Sequence, residues 1–255
     1  MRKSYLLLLL LFSINVCCGQ EELKPDFNKA VSLLKQESFD KAITAFTSLL
    51  GRATDTQVIK FCSIYRAFSY NGLGRYSEAI ADLDKAITLD PADLASYTDR
   101  GKAKAYADDY DGAKKDFLFI LAHDSTDEQG QAAYYYLAKI AYAENKYKES
   151  IGYYDKLILL TPRDAELYFN RGAAKGMLLD AEAAIKDYDE AIILDAKYME
   201  AYANRGVEKI NLLRKKGNLF PAKEQTADAC ADLKKAKQLG DKTVDDMIYI
   251  HCGNK

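Results

Sequence analysis

The sequence has no tryptophan, two histidines, four prolines and five cysteines among 255 residues. Scarce proline leaves long stretches free to be helical, because proline locks φ and removes a hydrogen-bond donor. Scarce histidine removes the side chain most used as a general base or metal ligand near neutral pH. His123 and His251 have no nucleophile or ligand set at a useful spacing. No phosphate-cradling glycine loop occurs, and acid pairs such as Asp108–Asp109 and Asp245–Asp246 are sequence neighbours that point to different sides of a helix or turn. Catalytic residues, metal and cofactor are therefore all expected to be absent. Charge of one sign is lacking too: 36 basic residues stand against 38 acidic ones, for a net −2. A nucleic-acid partner would call for a basic stripe, and there is none.

Long apolar runs are missing except at the start. "MRKSYLLLLLLFSINVCCGQ" places Arg2 and Lys3 before an apolar run from Tyr5 to Phe12, then small residues. That order is a secretory signal, and the run is shorter than the about 20 residues that span a bilayer. Residues 1–19 are expected to be a signal peptide cut after Gly19. The alternatives are lipoprotein processing, with Cys17 or Cys18 lipidated, and a retained anchor. Against lipidation, Val16 and Cys17 stand where such signals place a small residue. The chain is expected in the periplasm or secreted, or else as an outer-membrane lipoprotein, touching membrane only if lipidated. Cys62, Cys230 and Cys252 remain, and an oxidising compartment permits pairing while the odd number leaves one over.

What the sequence does have is repetition. Small residues recur at Ala30, Ala67, Gly101, Ala138, Gly172 and Gly206, with gaps of 37, 34, 37, 34 and 34. A second series runs through Ala42, Ala79, Ala113, Ser150, Ala184 and Ala229, the first five each 12 residues after their partner. A third follows seven later at Leu49, Ala86, Ile120, Leu157, Ala191 and Ala236. These spacings predict two antiparallel helices per unit, with small side chains at their closest approach. Pro91 with Asp93, Ser125 with Asp127 and Pro162 with Asp164 mark the stops and starts between units. The units fall at about 23–56, 60–92, 94–126, 130–163, 164–197 and 198–240, forming a single domain over 20–255.

The stretch "IYRAFSYNGLGRYSEAIADLDKAITLDP" resembles the tetratricopeptide repeat, with Ala67, Tyr70, Leu73, Gly74, Tyr76, Ala79, Leu83, Ala86, Leu89 and Pro91 at the family's positions. The fifth unit is similar but has Leu179 and Ala181 where a glycine and an aromatic are usual. The resemblance implies an all-α superhelix of stacked hairpins, whose stability comes from neighbouring units. It also implies a non-catalytic scaffold that holds another protein or peptide in a concave groove lined by the first helices. Transferred to this sequence, the groove positions are Phe27, Ile64, Phe68, Lys102, Tyr135, Lys139, Tyr142, Phe169 and Met177, with Val31, Thr98 and Ala173 among them. The family's clamp for chaperone C-termini needs lysines that are missing around Asn170 and Asn204. The alternatives are a self-associating structural subunit and a lipid-anchored envelope assembly factor.

Three features stand outside this pattern. Residues 214–225 interrupt the last unit as an insert containing Arg214, Lys215 and Lys216. "DKTVDDMIYIHC" reads as a capping helix over 241–252, and folding it back brings Cys252 to Cys230, so a Cys230–Cys252 disulfide is expected. Arg100, Arg171 and Arg205 recur beside the small residues, either bracing the stack through acids such as Asp187 and Asp232 or meeting a ligand.

Overall fold

A computed structural model describes residues 20–215, 217, 221–222 and 224–253. The expected leader, with Cys17 and Cys18, and part of the 214–225 insert lie outside the described residues. Among the described residues there are thirteen α-helices and no strand, and they fall into two compact units, one ending at Ala133 and one beginning at Tyr134. The first unit holds α1 (Lys24–Lys35), α2 (Phe39–Arg52), α3 (Thr56–Gly72), α4 (Tyr76–Leu89), α5 (Leu94–Tyr106), α6 (Tyr110–His123) and the start of α7 (Glu128–Ala143). The second holds the rest of α7, then α8 (Tyr147–Leu160), α9 (Ala165–Met177), α10 (Ala181–Leu194), α11 (Met199–Lys215), α12 (Ala227–Leu239) and α13 (Asp245–Cys252).

Odd and even helices pair into hairpins, and α13 follows the sixth. The recurring small residues sit where the paired helices touch. Ala30, Ala67 and Ala138 on first helices, and Ala42, Ala79, Ala113, Ala184 and Ala229 on second helices, are all buried. Gly101, Gly172 and Gly206 are buried in the same register. A Cβ on Gly172 would stand 2.9 Å from Cε1 of Tyr188, so glycine is what lets that ring approach α9 so closely. The 37-residue gaps also have a structural cause. Helices α3 and α7 are 17 and 16 residues long against 13 for α5 and α9, and the added turn lies at their N-terminal ends.

Helix starts follow from side-chain capping of otherwise unpaired N–H groups. Asp55, Asp109, Asp164 and Asp180 accept from the first-turn amides of α3, α6, α9 and α10. Asp127 accepts from Gly130 N at 2.6 Å. Asp93 makes no such cap, because its carboxylate takes Ser96 Oγ at 2.9 Å and lies 3.7 Å from Lys60 Nζ. Between the helices of the first five hairpins one residue adopts a left-handed backbone: Glu37, Gly74, Asp108, Asn145 and Leu179. Only Gly74 does so without a Cβ penalty, and Leu179 is 77% exposed.

The two helices of four hairpins are braced by charge. Arg66, Arg100, Arg171 and Arg205 each grip an aspartate on the second helix of their own hairpin: Asp82, Asp116, Asp187 and Asp232. The grip is bidentate; Arg171 donates from Nε at 2.9 Å and from Nη2 at 2.6 Å. The remaining guanidinium nitrogen reaches the preceding hairpin, at Thr47, Asp84, Asp155 and Asp189 respectively. Lys104, Lys175 and Lys209 add a third contact to Asp116, Asp187 and Asp232. All four gripped aspartates are buried, so the planar fork matches each carboxylate where water cannot. The fourth hairpin has Leu137 and Tyr153 at these positions and packs them instead.

Sγ of Cys230, on α12, is bonded to Sγ of Cys252, at the end of α13, with Cα atoms 5.5 Å apart. The bond ties the cap onto a small core of Ala203, Ile210, Leu233, Ala236 and Val244. Cys62 is buried in the core of the first unit and takes no part in the disulfide.

Candidate functional site

The first-helix faces of the two units differ in what their side chains are doing. In the first unit, three of the positions transferred to the groove are core. Phe27 is 2% exposed, with its ring edge-on to Phe46 and Tyr65 at 6.0 and 5.6 Å. Val31 is buried beside it. Thr98 is buried, donating to Leu94 O and lying 2.7 Å from Gln129 Oε1. Phe27 and Thr98 each meet a side chain of the next first helix, Tyr65 or Gln129, and Val31 belongs to the same core cluster as Tyr65. Ile64 and Phe68 are half-buried, and Phe68 also packs on Tyr65. Lys102 is half-buried and turns back to Asp99 at 3.4 Å. Burial pushes the Asp99 carboxyl upward, with Lys102 opposing.

The second unit leaves more of this face open. The Tyr135 hydroxyl donates to the Glu166 carboxylate, and exposed Lys139 extends over the Tyr135 ring at 5.3 Å. Tyr142 is half-buried, edge-on to Tyr147. Phe169 lies between Tyr198 at 4.9 Å and Tyr188 at 5.8 Å. Ala173 is half-buried, and Met177 is 51% exposed at the end of α9.

The groove transfer did not include the carboxylates. Glu166 acts on several phenols: burial and then Glu166 raise the hydroxyls of Tyr135, Tyr154 and Tyr198 above the usual phenol range. Glu200 stands 34 residues after Glu166, in the same register on α11, and adds to the field at Tyr198. Glu208 fills the notch left by a second glycine: its Oε1 is 2.9 Å from where a Gly176 Cβ would be. Burial raises the Glu208 carboxyl above the usual glutamate range, against a hydrogen bond from Asn211. Among the described residues, none of these three carboxylates forms an ion pair. Glu166 and Glu200 carry a sequence signal in the 34-residue recurrence of glutamate, and Glu208 has no counterpart at Ala174.

Elsewhere the polar side chains have local duties. His123 ends α6, with Nδ1 2.8 Å from Phe119 O and its ring on Phe119. His251 Nε2 lies 3.2 Å from Arg214 Nη2. Among the described residues, no group of histidine, cysteine and acid side chains is arranged to hold a metal ion. No described helix is long and apolar enough to cross a membrane.

Comparisons with known proteins agree with this architecture. Residues 66–93 and 98–166 each match the tetratricopeptide repeat. The Hsp70-Hsp90 organizing protein 2 of Arabidopsis thaliana is 27% identical over 112 residues, 44% of this chain. The chain spans only 18% of that relative's length. The C-terminal part of a TPR repeat-containing protein from Cytophaga hutchinsonii superposes with a TM-score of 0.68 at 19% identity, covering 90% of this chain and 96% of its own. YrrB, described as a TPR protein with an unusual peptide-binding site, superposes at 0.58 with 21% identity, covering 81% and 96%. At these identities the structural likenesses show the fold: an all-α solenoid of helical hairpins.

Proposed function

Given that the chain is a tetratricopeptide repeat protein, we propose that it is a non-catalytic scaffold holding a partner protein or peptide on the first-helix face of its second unit. The observation that carries this reading is the division of labour within that unit. Arg171 and Arg205, with their aspartates, are consumed in bracing the stack. Tyr135, Tyr142, Phe169 and Met177 remain at least partly open on the first helices. Half-exposed aromatics on a rigid frame are the usual anchors of a binding surface. The peptide-binding site in YrrB's description lends support by analogy of fold. The chaperone clamp of the family gains none, because the lysines it needs are missing around Asn170 and Asn204.

Export to the cell envelope belongs to the same proposal. The leader-like order of residues 1–19 supports it, and so does the Cys230–Cys252 bond, since such bonds persist in oxidising compartments. Cross-linking in intact cells with Tyr142→Ala and Phe169→Ala tests the face: the partner set should shrink while the protein stays folded. An unchanged set of partners would reject the reading.

A second reading, self-association, is favoured by Leu159 and Ile193, which are 83% and 73% exposed at equivalent positions of α8 and α10. Light scattering at micromolar concentration decides it, since a monomer there removes the case.

A further inference from the structure

We infer that the face of the second unit recognises positive charge: a lysine or arginine side chain from an extended partner segment, received by Glu166, Glu200 and Glu208 against the rings of Tyr135, Phe169 and Tyr198. The inference rests on the groove reading above and adds the chemistry of the occupant.

Three observations converge on it. First, this unit pairs the charges it uses for its own stability. Asp155, Asp187, Asp189 and Asp232 are all bonded to arginine. The three glutamates on the other face are left over. Second, Glu208 is half-buried in the Gly176 notch, with an amide rather than a cation beside it. A carboxylate taken from water without a counter-charge is a cost to the free protein, and an arriving ammonium or guanidinium removes it. Third, aromatic rings stand among the acids: Tyr135 is bonded to Glu166, and Phe169 and Tyr198 lie 4.9 Å apart. Ring faces and carboxylates together favour a cation over a neutral side chain. A cation, Lys139, also stands here, exposed and resting over Tyr135. It is outnumbered by the three glutamates, and Asp164 and Asp195 extend the negative field at Tyr198.

The test uses the full chain and two labelled synthetic peptides of about twelve residues, a length that spans an extended groove. They are identical except for lysine or glutamate at alternate positions. The lysine peptide should bind about tenfold more tightly at low salt, and the preference should shrink in about 0.5 M salt as charges are screened. In the triple variant Glu166→Gln, Glu200→Gln, Glu208→Gln, which keeps side-chain shape, the two affinities should come within about twofold. Glu200→Lys, at an exposed position, guards against misfolding of the triple variant and should weaken only the lysine peptide. Equal affinities in the native chain, a preference that survives the triple variant, or no binding of either peptide at about 1 mM would each overturn the inference, since 1 mM is already the weak end of specific binding. Equal affinities that fall together in Phe169→Ala would leave the groove reading standing. Equal affinities indifferent to Phe169→Ala would remove both.

Discussion

The two units are built by the same rule and finished differently. In both, a buried aspartate is gripped by an arginine sixteen residues earlier, Arg100 on Asp116 and Arg171 on Asp187, and a lysine four residues after the arginine completes the contact. On the opposite face they part. The first unit closes over its own side chains, with Tyr65 covering Phe27 and Gln129 meeting Thr98. In the second, Asn170 and Asn204 hold the register of Tyr65 on α9 and α11, two residues before the recurring small residue, while Tyr136 holds it on α7. Tyr135 and Phe169 stay half-open beside them. A repeat thus fixes where a face lies, and side chains of the next hairpin decide how far each position on it becomes core or surface.

The largest expected effect probes what the units share. Asp187→Ala strands Arg171 and Lys175 without their buried partner and should cost about 3–5 kcal/mol. Asp116→Ala should cost the same in the first unit. Asp155→Ala removes an acid that is 53% exposed and should cost less than about 1 kcal/mol. Denaturant melts of the three variants measure this, and unequal losses at Asp116 and Asp187 would break the idea of a common brace.

Next comes a device that, among the described residues, belongs to the second unit alone. Replacing Cys230 and Cys252 by serine opens a link across 22 residues and should cost about 3 kcal/mol. Amide exchange should rise in α12 and α13 and stay unchanged in α1–α4.

A smaller change sharpens the contrast at the turns. Leu179 holds a left-handed backbone at φ 59° where the second hairpin uses Gly74. Leu179→Gly should relieve about 1 kcal/mol of backbone strain with little packing lost. If melting is unchanged or worsened, the exposed leucine is making a stabilising contact.

The smallest stability effect separates the acidic face from the brace. The folded Glu208 carboxyl is held above its unfolded value, so the folded state binds the proton more tightly. Its charge opposes folding above that range, and the opposition fades as pH falls. Glu208→Gln should therefore be neutral or stabilising by less than about 1 kcal/mol. Binding of the lysine peptide should weaken as pH drops through the Glu208 range, sooner than for an ordinary glutamate.

Much of this was legible beforehand because packing leaves a spaced record. Gly172 returns as Gly206 since both meet a large side chain, Tyr188 or Leu233, at about the same distance. The arginines were half legible: their register was visible, but their commitment to Asp187 and Asp232 needed the second helix in place. The open face was least legible. Phe27 and Thr98 share a repeat position with Tyr135 and Phe169, and only the neighbouring hairpin distinguishes the covered pair from the open one. Of the acids, Glu166 and Glu200 recur visibly, whereas Glu208 belongs to the face only through the absence of a side chain at Gly176.

The most direct measurement is site-specific photo-cross-linking with the reactive group placed in turn at Phe169, Phe68 and Leu159. The account predicts partner adducts from Phe169, few from Phe68 and none from Leu159. Adducts from Leu159 with none from Phe169 would place the partner at the second helix of the hairpin, away from the first-helix face, and contradict it.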